Sequence, residues 1–212
     1  MKSTLPNILL SLTVICLAAG IALSAANKYT EDAIAASKAA GLRNAIKSVT
    51  PEFDNNPAEE QYKAAATDGD SIIIYPAKKG DRPVGYAVES YAKNGFSGLI
   101  RIMVGFDAEG KLFNYSVLEH NETPGLGSKM EAWFREDKNR RNIIGHDMAK
   151  GLLKVAKDGG EVDAITAATI SSRAFLDAVN LAYTAFSGGT DAVSGATAGT
   201  DAATGGTEKG NK

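Results

Sequence analysis

Cysteine is almost missing from this chain: Cys16 is the only one. No intrachain disulfide can form, and the redox compartment cannot be read from cysteine usage. Cys16 lies inside an apolar run, where a lone thiol behaves as a small hydrophobe. Ile15 precedes it, not the small residue a lipidation site requires. Histidine is nearly as scarce. His120 and His146 lie 26 positions apart, with no cysteine or paired carboxylates at metal spacing around them, which argues against a metal site. Neither sign of charge dominates: 23 Lys and Arg against 25 Asp and Glu leave a formal charge of −2, so nothing points to nucleic acid or another polyanion. Aromatic residues make up only 7%, while glycines number 22, which indicates a modest core with many turns. Ser171 has no nucleophile elbow around it, so a Ser-His-Asp triad is not indicated.

What the chain does have begins at its N-terminus. Ile8–Ala26 runs 19 positions without a charge, just enough for a helix to cross the roughly 30 Å of a hydrocarbon core. A signal peptide is the competing reading, because Ala22–Ala26 supplies small residues for a peptidase. The run exceeds the apolar stretch of about 7–15 residues that a signal peptide carries, which favours a retained single-pass anchor. Lys2 and the α-amine precede the span, whereas Lys28, Glu31 and Asp32 follow it. That bias predicts residues 1–7 on the cytoplasmic side, 8–26 in the membrane and the bulk of the chain outside the cytoplasm.

Beyond the anchor, Ala33, Ile34, Leu42, Ala45, Ile46 and Val49 recur at near-helical spacing, predicting a juxtamembrane helix over 27–50 that ends at Thr50-Pro51. Residues 52–70 read as polar and irregular. Strands follow at Ser71–Tyr75, Val84–Tyr91, Leu99–Phe106 and Lys111–Glu119, separated by Lys78–Pro83 and Asp107–Gly110 turn chemistry. Ser128–Glu136 reads as a short helix with Trp133 in its core, Ser128 and Glu131 forming a capping box. Leu152–Ala156 and Val162–Ile165 read as short strands, and Thr169–Phe186 as an amphipathic helix with either Phe175, Val179 and Ala182 or Ala178, Leu181 and Ala185 on its inner face. Arg140-Arg141 reads as a solvated charged face. The predicted fold class is α+β: an N-terminal transmembrane helix, then an antiparallel-sheet domain over 51–186 flanked by helices. Residues 187–212, rich in Gly, Thr, Ala and Ser without apolar period, read as a disordered tail.

The residues that carry chemistry gather in three places. Asp163–Ser172 (DAITAATISS) opens the C-terminal helix. Taken alone it is a helix start with Thr169 as N-cap. It also resembles the flavinylation signature of the FMN-binding domain family, Asp-x-x-Ser/Thr-Gly-Ala-Thr, in which the last Thr is esterified to the phosphate of FMN. His120–Gly127 (HNETPGLG) resembles that family's ETPGLG loop, and Gly95–Ile100 (GFSGLI) its Gly-aromatic-Ser-Gly segment. With the anchor, residues 1–186 resemble the G subunits of Rnf electron-transport complexes.

The resemblance implies covalent FMN, attached as a phosphoester to Thr169 by a separate flavin transferase that takes it from FAD. It makes Asp163 a determinant read by the transferase, sets Thr166 at the Ser/Thr position, and puts the ETPGLG loop at the isoalloxazine. Thr123, Leu126 and Gly127 are then the expected ring contacts, with Glu122 a loop-stabilising acceptor. Physically, two glycines let backbone approach a planar ring and Pro124 stiffens the loop, while Phe96 packs or completes its turn. A helix N-terminus offers free N–H groups and a positive dipole end to a phosphate, and Ser171, Ser172 and Arg173 are in position to add hydrogen bonds.

One departure stands out: Ala167 occupies the family's Gly position. If the backbone there is left-handed, alanine costs roughly 1–2 kcal/mol; if extended or helical, almost nothing. A rival acceptor lies in the tail, where Asp191–Thr197 (DAVSGAT) fits the signature better and would make Thr197 the target, although low-complexity sequence readily produces such strings. The implied role is a redox relay among the other subunits of an inner (cytoplasmic) membrane complex. Such a complex couples electron transfer between ferredoxin and NAD to Na⁺ or H⁺ movement. A free-standing anchored flavoprotein shuttle and a non-redox anchored binding module are the alternatives.

Overall fold

No proline interrupts the sequence between Pro6 and Pro51, so nothing breaks a helix between them. The computed structural model, which describes residues 5–66 and 69–188, accordingly has one unbroken helix, α1, over Leu5–Val49. The stretches read as a span at 8–26 and a juxtamembrane helix at 27–50 belong to this single element. Within it, Pro6–Glu31 is long and apolar enough to cross a membrane, and none of that window is buried inside the protein. Side chains such as Leu9, Ile15 and Leu23 are exposed, as expected of a helix that is apolar all round and meets lipid. The chain divides between Asn44 and Ala45 into two units.

The second unit starts with the last turn of α1, where Ala45, Ile46 and Val49 are buried. Thr50 closes it, its hydroxyl donating to the Ile46 carbonyl at 2.8 Å. A five-stranded antiparallel meander follows: β1 Tyr62–Ala65, β2 Ser71–Lys79, β3 Arg82–Gly95, β4 Gly98–Asp107 and β5 Leu112–His120, paired in that order. Strand β1 lies in the stretch read as irregular. It is four mostly exposed residues whose register comes from pairing Tyr62 with Ile74 and Ala65 with Ser71, a partnership no local pattern encodes. β2 runs through Pro76 because β1 pairs only as far as Ile74. There the sheet edge is met by Asn55 instead, which donates to the Pro76 carbonyl and accepts from the Lys78 N–H, so the absent proline N–H costs no ladder bond.

Each face of the sheet has its own cover. Ile72, Ile74, Val88, Ile100, Ile102, Val104 and Phe106 pack with Phe175, Ala178, Val179 and Ala182 of α3, Thr169–Ser187. Full burial of Phe175 alone stabilises by about 1.5–3 kcal/mol. On the opposite side Ala77, Ala87 and Met103 are buried with the end of α1. The approach is so close that a Cβ on Gly105 would fall 1.6 Å from the Val49 carbonyl oxygen.

Two expected elements take other forms. The helix read over Ser128–Glu136 is a 3-10 turn at Gly127–Lys129 followed by α2, the single turn Met130–Trp133. No capping box forms, because the Ser128 hydroxyl turns back to accept the Gly125 N–H at 2.9 Å. The two short strands are reduced to a parallel bridge between Val155 and Val162 with a 3-10 turn, Ala156–Asp158, between them. Asn180 explains the difference. Its buried amide satisfies both the N–H and the C=O of Leu153, each at 2.9 Å, so the segment needs no strand partner. The tail from residue 189, including Thr197, lies outside the described residues.

Candidate functional site

The three sequence segments with chemical content converge at the start of α3, and a single carboxylate joins them. Glu122, just past β5, is 4% exposed. Its Oε1 accepts the Ser97 N–H from the β3–β4 turn at 2.9 Å, and its Oε2 accepts the Ser171 hydroxyl from α3 at 2.5 Å. Gly127 has to be glycine for this: an added Cβ would lie 2.6 Å from Glu122 Oε2 and 2.7 Å from Ser171 Oγ. The bareness of Gly127 thus makes room for the Glu122–Ser171 hydrogen bond.

Above this junction opens a cavity of about 330 Å³. Phe96, Leu126 and Ile170 form apolar walls; Thr123, Glu122 and Gly127 close one side, and Ala167–Ser171 the other. Phe96 is 66% exposed, so it stands at the mouth and not in the core.

The turn into α3 is held from inside. Ser172 is fully buried; its hydroxyl accepts the Ile165 N–H and donates to the Ala168 carbonyl, both at 2.9 Å. Between those anchors Ala167 takes φ = 61°. The position does require the left-handed backbone, and alanine bears roughly 1–2 kcal/mol of strain there. Ala168 supplies no side-chain cap, so the first-turn amides stay available to an anion.

Thr169 forms the ridge between that cavity and a second one of about 390 Å³, whose lining includes Thr166, Asn139, Arg141, Lys157 and Asp163. Lys157 Nζ lies 3.4 Å from Thr169 Oγ1, a cation beside the hydroxyl that sequence reasoning missed because 12 residues separate the two. Arg173 sets up this approach. It grips Asp158 through Nε and Nη2 at 2.7 and 2.6 Å, tying the turn that carries Lys157 to α3. The Arg173 hydrogen bonds hold the Asp158 carboxyl below the usual carboxylate range, with Lys154 and Lys157 adding attraction.

Of the residues singled out in the sequence, Thr169, Thr123, Leu126, Gly127 and Ser171 line the first cavity, and Thr166 the second. Ser172 lines neither. The hydroxyls of Ser171 and Ser172 and the guanidinium of Arg173 are already engaged within the protein. These bonds fix the turn into α3. Asp163 is pinned by Arg140, Oδ1 to Nη2 at 3.1 Å, and its carbonyl accepts the Trp133 indole N–H. Of the arginine pair read as a solvated face, Arg140 is exposed, with 62% of its side chain open to solvent, whereas Arg141 stacks 3.5 Å from the Trp133 ring centroid with its side chain 15% exposed. Among the described residues no group of three His, Cys, Asp or Glu could hold a metal.

With this geometry in hand, comparison with known proteins is informative. The FMN-binding domain family matches residues 95–184, from the β3–β4 turn through most of α3. The G subunit of the ion-translocating oxidoreductase complex from Shewanella amazonensis is 34% identical over 192 residues, covering 84% of this chain and 86% of that one. The protein of the same name from Escherichia coli strain K12 is 36% identical over 167 residues, 75% of this chain and 80% of that one. That from Haemophilus influenzae is 37% identical over 155 residues, 70% and 73% respectively. An apolar helix of membrane-crossing length precedes the matched domain. The chain is a membrane-anchored protein with an FMN-binding domain and belongs to the family of G subunits of ion-translocating oxidoreductase complexes.

Proposed function

We propose that the chain relays electrons within such a complex through one FMN joined by a phosphoester to Thr169. The carrying observation is the surroundings of Thr169 Oγ1: a hydroxyl at a helix start without a side-chain cap, 3.4 Å from the Lys157 ammonium, beside a cavity with apolar walls. The residues fit the group. An FMN phosphate on Thr169 meets backbone amides and a cation, and the planar ring finds Phe96, Leu126 and Ile170. When bound, the flavin supplies the capacity to take up and release electrons; the protein supplies its attachment, its orientation and an apolar wall.

Attachment needs a flavin transferase, because a threonine hydroxyl is a weak nucleophile. The Thr169 Oγ1–P bond forms, the pyrophosphate of FAD is cleaved, and AMP leaves while the hydroxyl proton passes to a base. Asp163, held by Arg140 at the same turn, is the side chain the transferase reads in this account. The chain sits in the cytoplasmic (inner) membrane by its N-terminal helix with its flavin domain on the extracytoplasmic side. There covalent attachment prevents loss of the cofactor. Its complex couples ferredoxin–NAD electron transfer to Na⁺ or H⁺ translocation, and its partners are the other subunits.

The test is intact-mass analysis and in-gel flavin fluorescence of full-length protein co-expressed with a flavin transferase. The native chain should gain one FMN. Thr169→Val should lose it, and Thr197→Val should keep it. Flavin retained on Thr169→Val and lost from Thr197→Val would move the acceptor to the tail.

A further inference from the structure

Attachment at Thr169 leaves one buried group in the cavity wall without a task beyond fastening. Glu122 is 4% exposed, and its hydrogen-bond partners on both oxygens are neutral dipoles, the Ser97 N–H and the Ser171 hydroxyl. Space for it is made by bare backbone on two sides: a Cβ on Gly95 would lie 2.7 Å from Oε1, and one on Gly127 2.6 Å from Oε2. Three separate segments are shaped around this carboxylate. Desolvating a charge is expensive, and an apolar contact or an amide would tie the loops together at lower cost. Its position is what distinguishes it: Glu122 lines the same cavity as Phe96, Leu126 and Ile170, where apolar walls screen a charge far less than water does.

We infer that Glu122 is a positioning residue of electrostatic kind, a fixed negative charge that lowers the reduction potential of a flavin in this cavity. The inference rests on the proposed occupancy of the cavity by FMN. Electrons reaching the ring come from a one-electron carrier of the same complex and leave to another, and protons exchange with solvent. Each electron taken up adds negative charge beside the carboxylate, so the reduced form is disfavoured relative to the oxidised one. By the same argument the charge favours onward delivery of the electron.

The experiment is a potentiometric titration of full-length flavinylated protein, native, Glu122→Gln and Ser171→Ala, with intact mass recorded for each. Glu122→Gln removes the charge and nearly keeps the shape; Ser171→Ala breaks the clip and keeps the charge. A midpoint shifted to more positive values in Glu122→Gln, with no positive shift in Ser171→Ala, is the expected result. An unchanged midpoint in Glu122→Gln overturns the inference, as does a matching positive shift in both variants, which loosening of the loops alone would produce. Mass keeps the two claims apart, since native protein without FMN refutes the proposed function before any potential is read. If Glu122→Gln does not yield folded flavoprotein, redox-difference infrared spectra of native protein carrying ¹³C-glutamate take its place. A glutamate carboxylate band that shifts on flavin reduction is expected, and a silent glutamate region overturns the inference.

Discussion

Ala167 is the residue at which a single side chain is most plainly at odds with its backbone. Its φ of 61° is imposed from both sides, by Ser172 bonding to Ile165 and Ala168 and by the start of α3. A Cβ in that conformation meets the following carbonyl, whereas glycine has none to meet. Ala167→Gly should therefore relieve about 1–2 kcal/mol of strain while adding about 0.5–1 kcal/mol of unfolded-state entropy. A net gain of about 0–1.5 kcal/mol corresponds to a rise of at most a few degrees in Tm. Thermal unfolding in detergent, followed by circular dichroism, measures it, and FMN content should not fall. A lower Tm would show that the turn is not held left-handed in solution. Arg141 teaches the complementary lesson. Two adjacent arginines in a charged stretch look solvent-facing, yet this one lies on Trp133, eight positions earlier, because planar guanidinium and indole faces stack well.

At the scale of elements, long and strongly patterned stretches were legible and short ones were not. The four longer strands and α3 follow from alternation and from apolar 3.6-residue spacing, and α3 ends within one residue of where its pattern stops. β1, α2 and the Val155–Val162 bridge are short and take their form from hydrogen-bond partners outside themselves, so local propensity misjudged all three. The docking of the end of α1 on β4 is another such partnership. Gly105 presents bare backbone to the Val49 carbonyl at a separation no side chain tolerates. Gly105→Ala must push the last turn of α1 off the sheet or bend β4, at about 1–3 kcal/mol, the usual cost of overpacking. A drop in Tm of several degrees is expected in the same thermal assay. An unaltered Tm would mean that this turn is not seated on the sheet.

For the whole molecule, the question is whether the first unit stays attached to the second. The run from Ile8 to Ala26 is longer than a signal peptide's apolar stretch of about 7–15 residues, and α1 continues past it to Val49 without a break. The helix should therefore remain on the mature protein as its anchor. Terminal sequencing or peptide mapping of protein extracted from membranes should find the Ile8–Ala26 segment still attached. A mature N-terminus near Asn27 would identify the segment as a cleaved leader.

The amino-acid sequence by itself determined the α+β class, the membrane-length apolar helix and the three segments that carry chemistry, since each is written in contiguous residues through period, length or motif. It also singled out Thr169 and the mismatch at Ala167, but not the backbone angle that gives the mismatch its energy. Only the tertiary structure decided how those segments meet. Glu122 binds Ser171 across 49 positions and Ser97 across 25, and Lys157 is brought to Thr169 by the Arg173–Asp158 pair. The physical reason is the range of the information. Helix and strand periods and turn chemistry act over a few residues, whereas the burial of one carboxylate and the placing of one ammonium depend on which distant backbone leaves room for them.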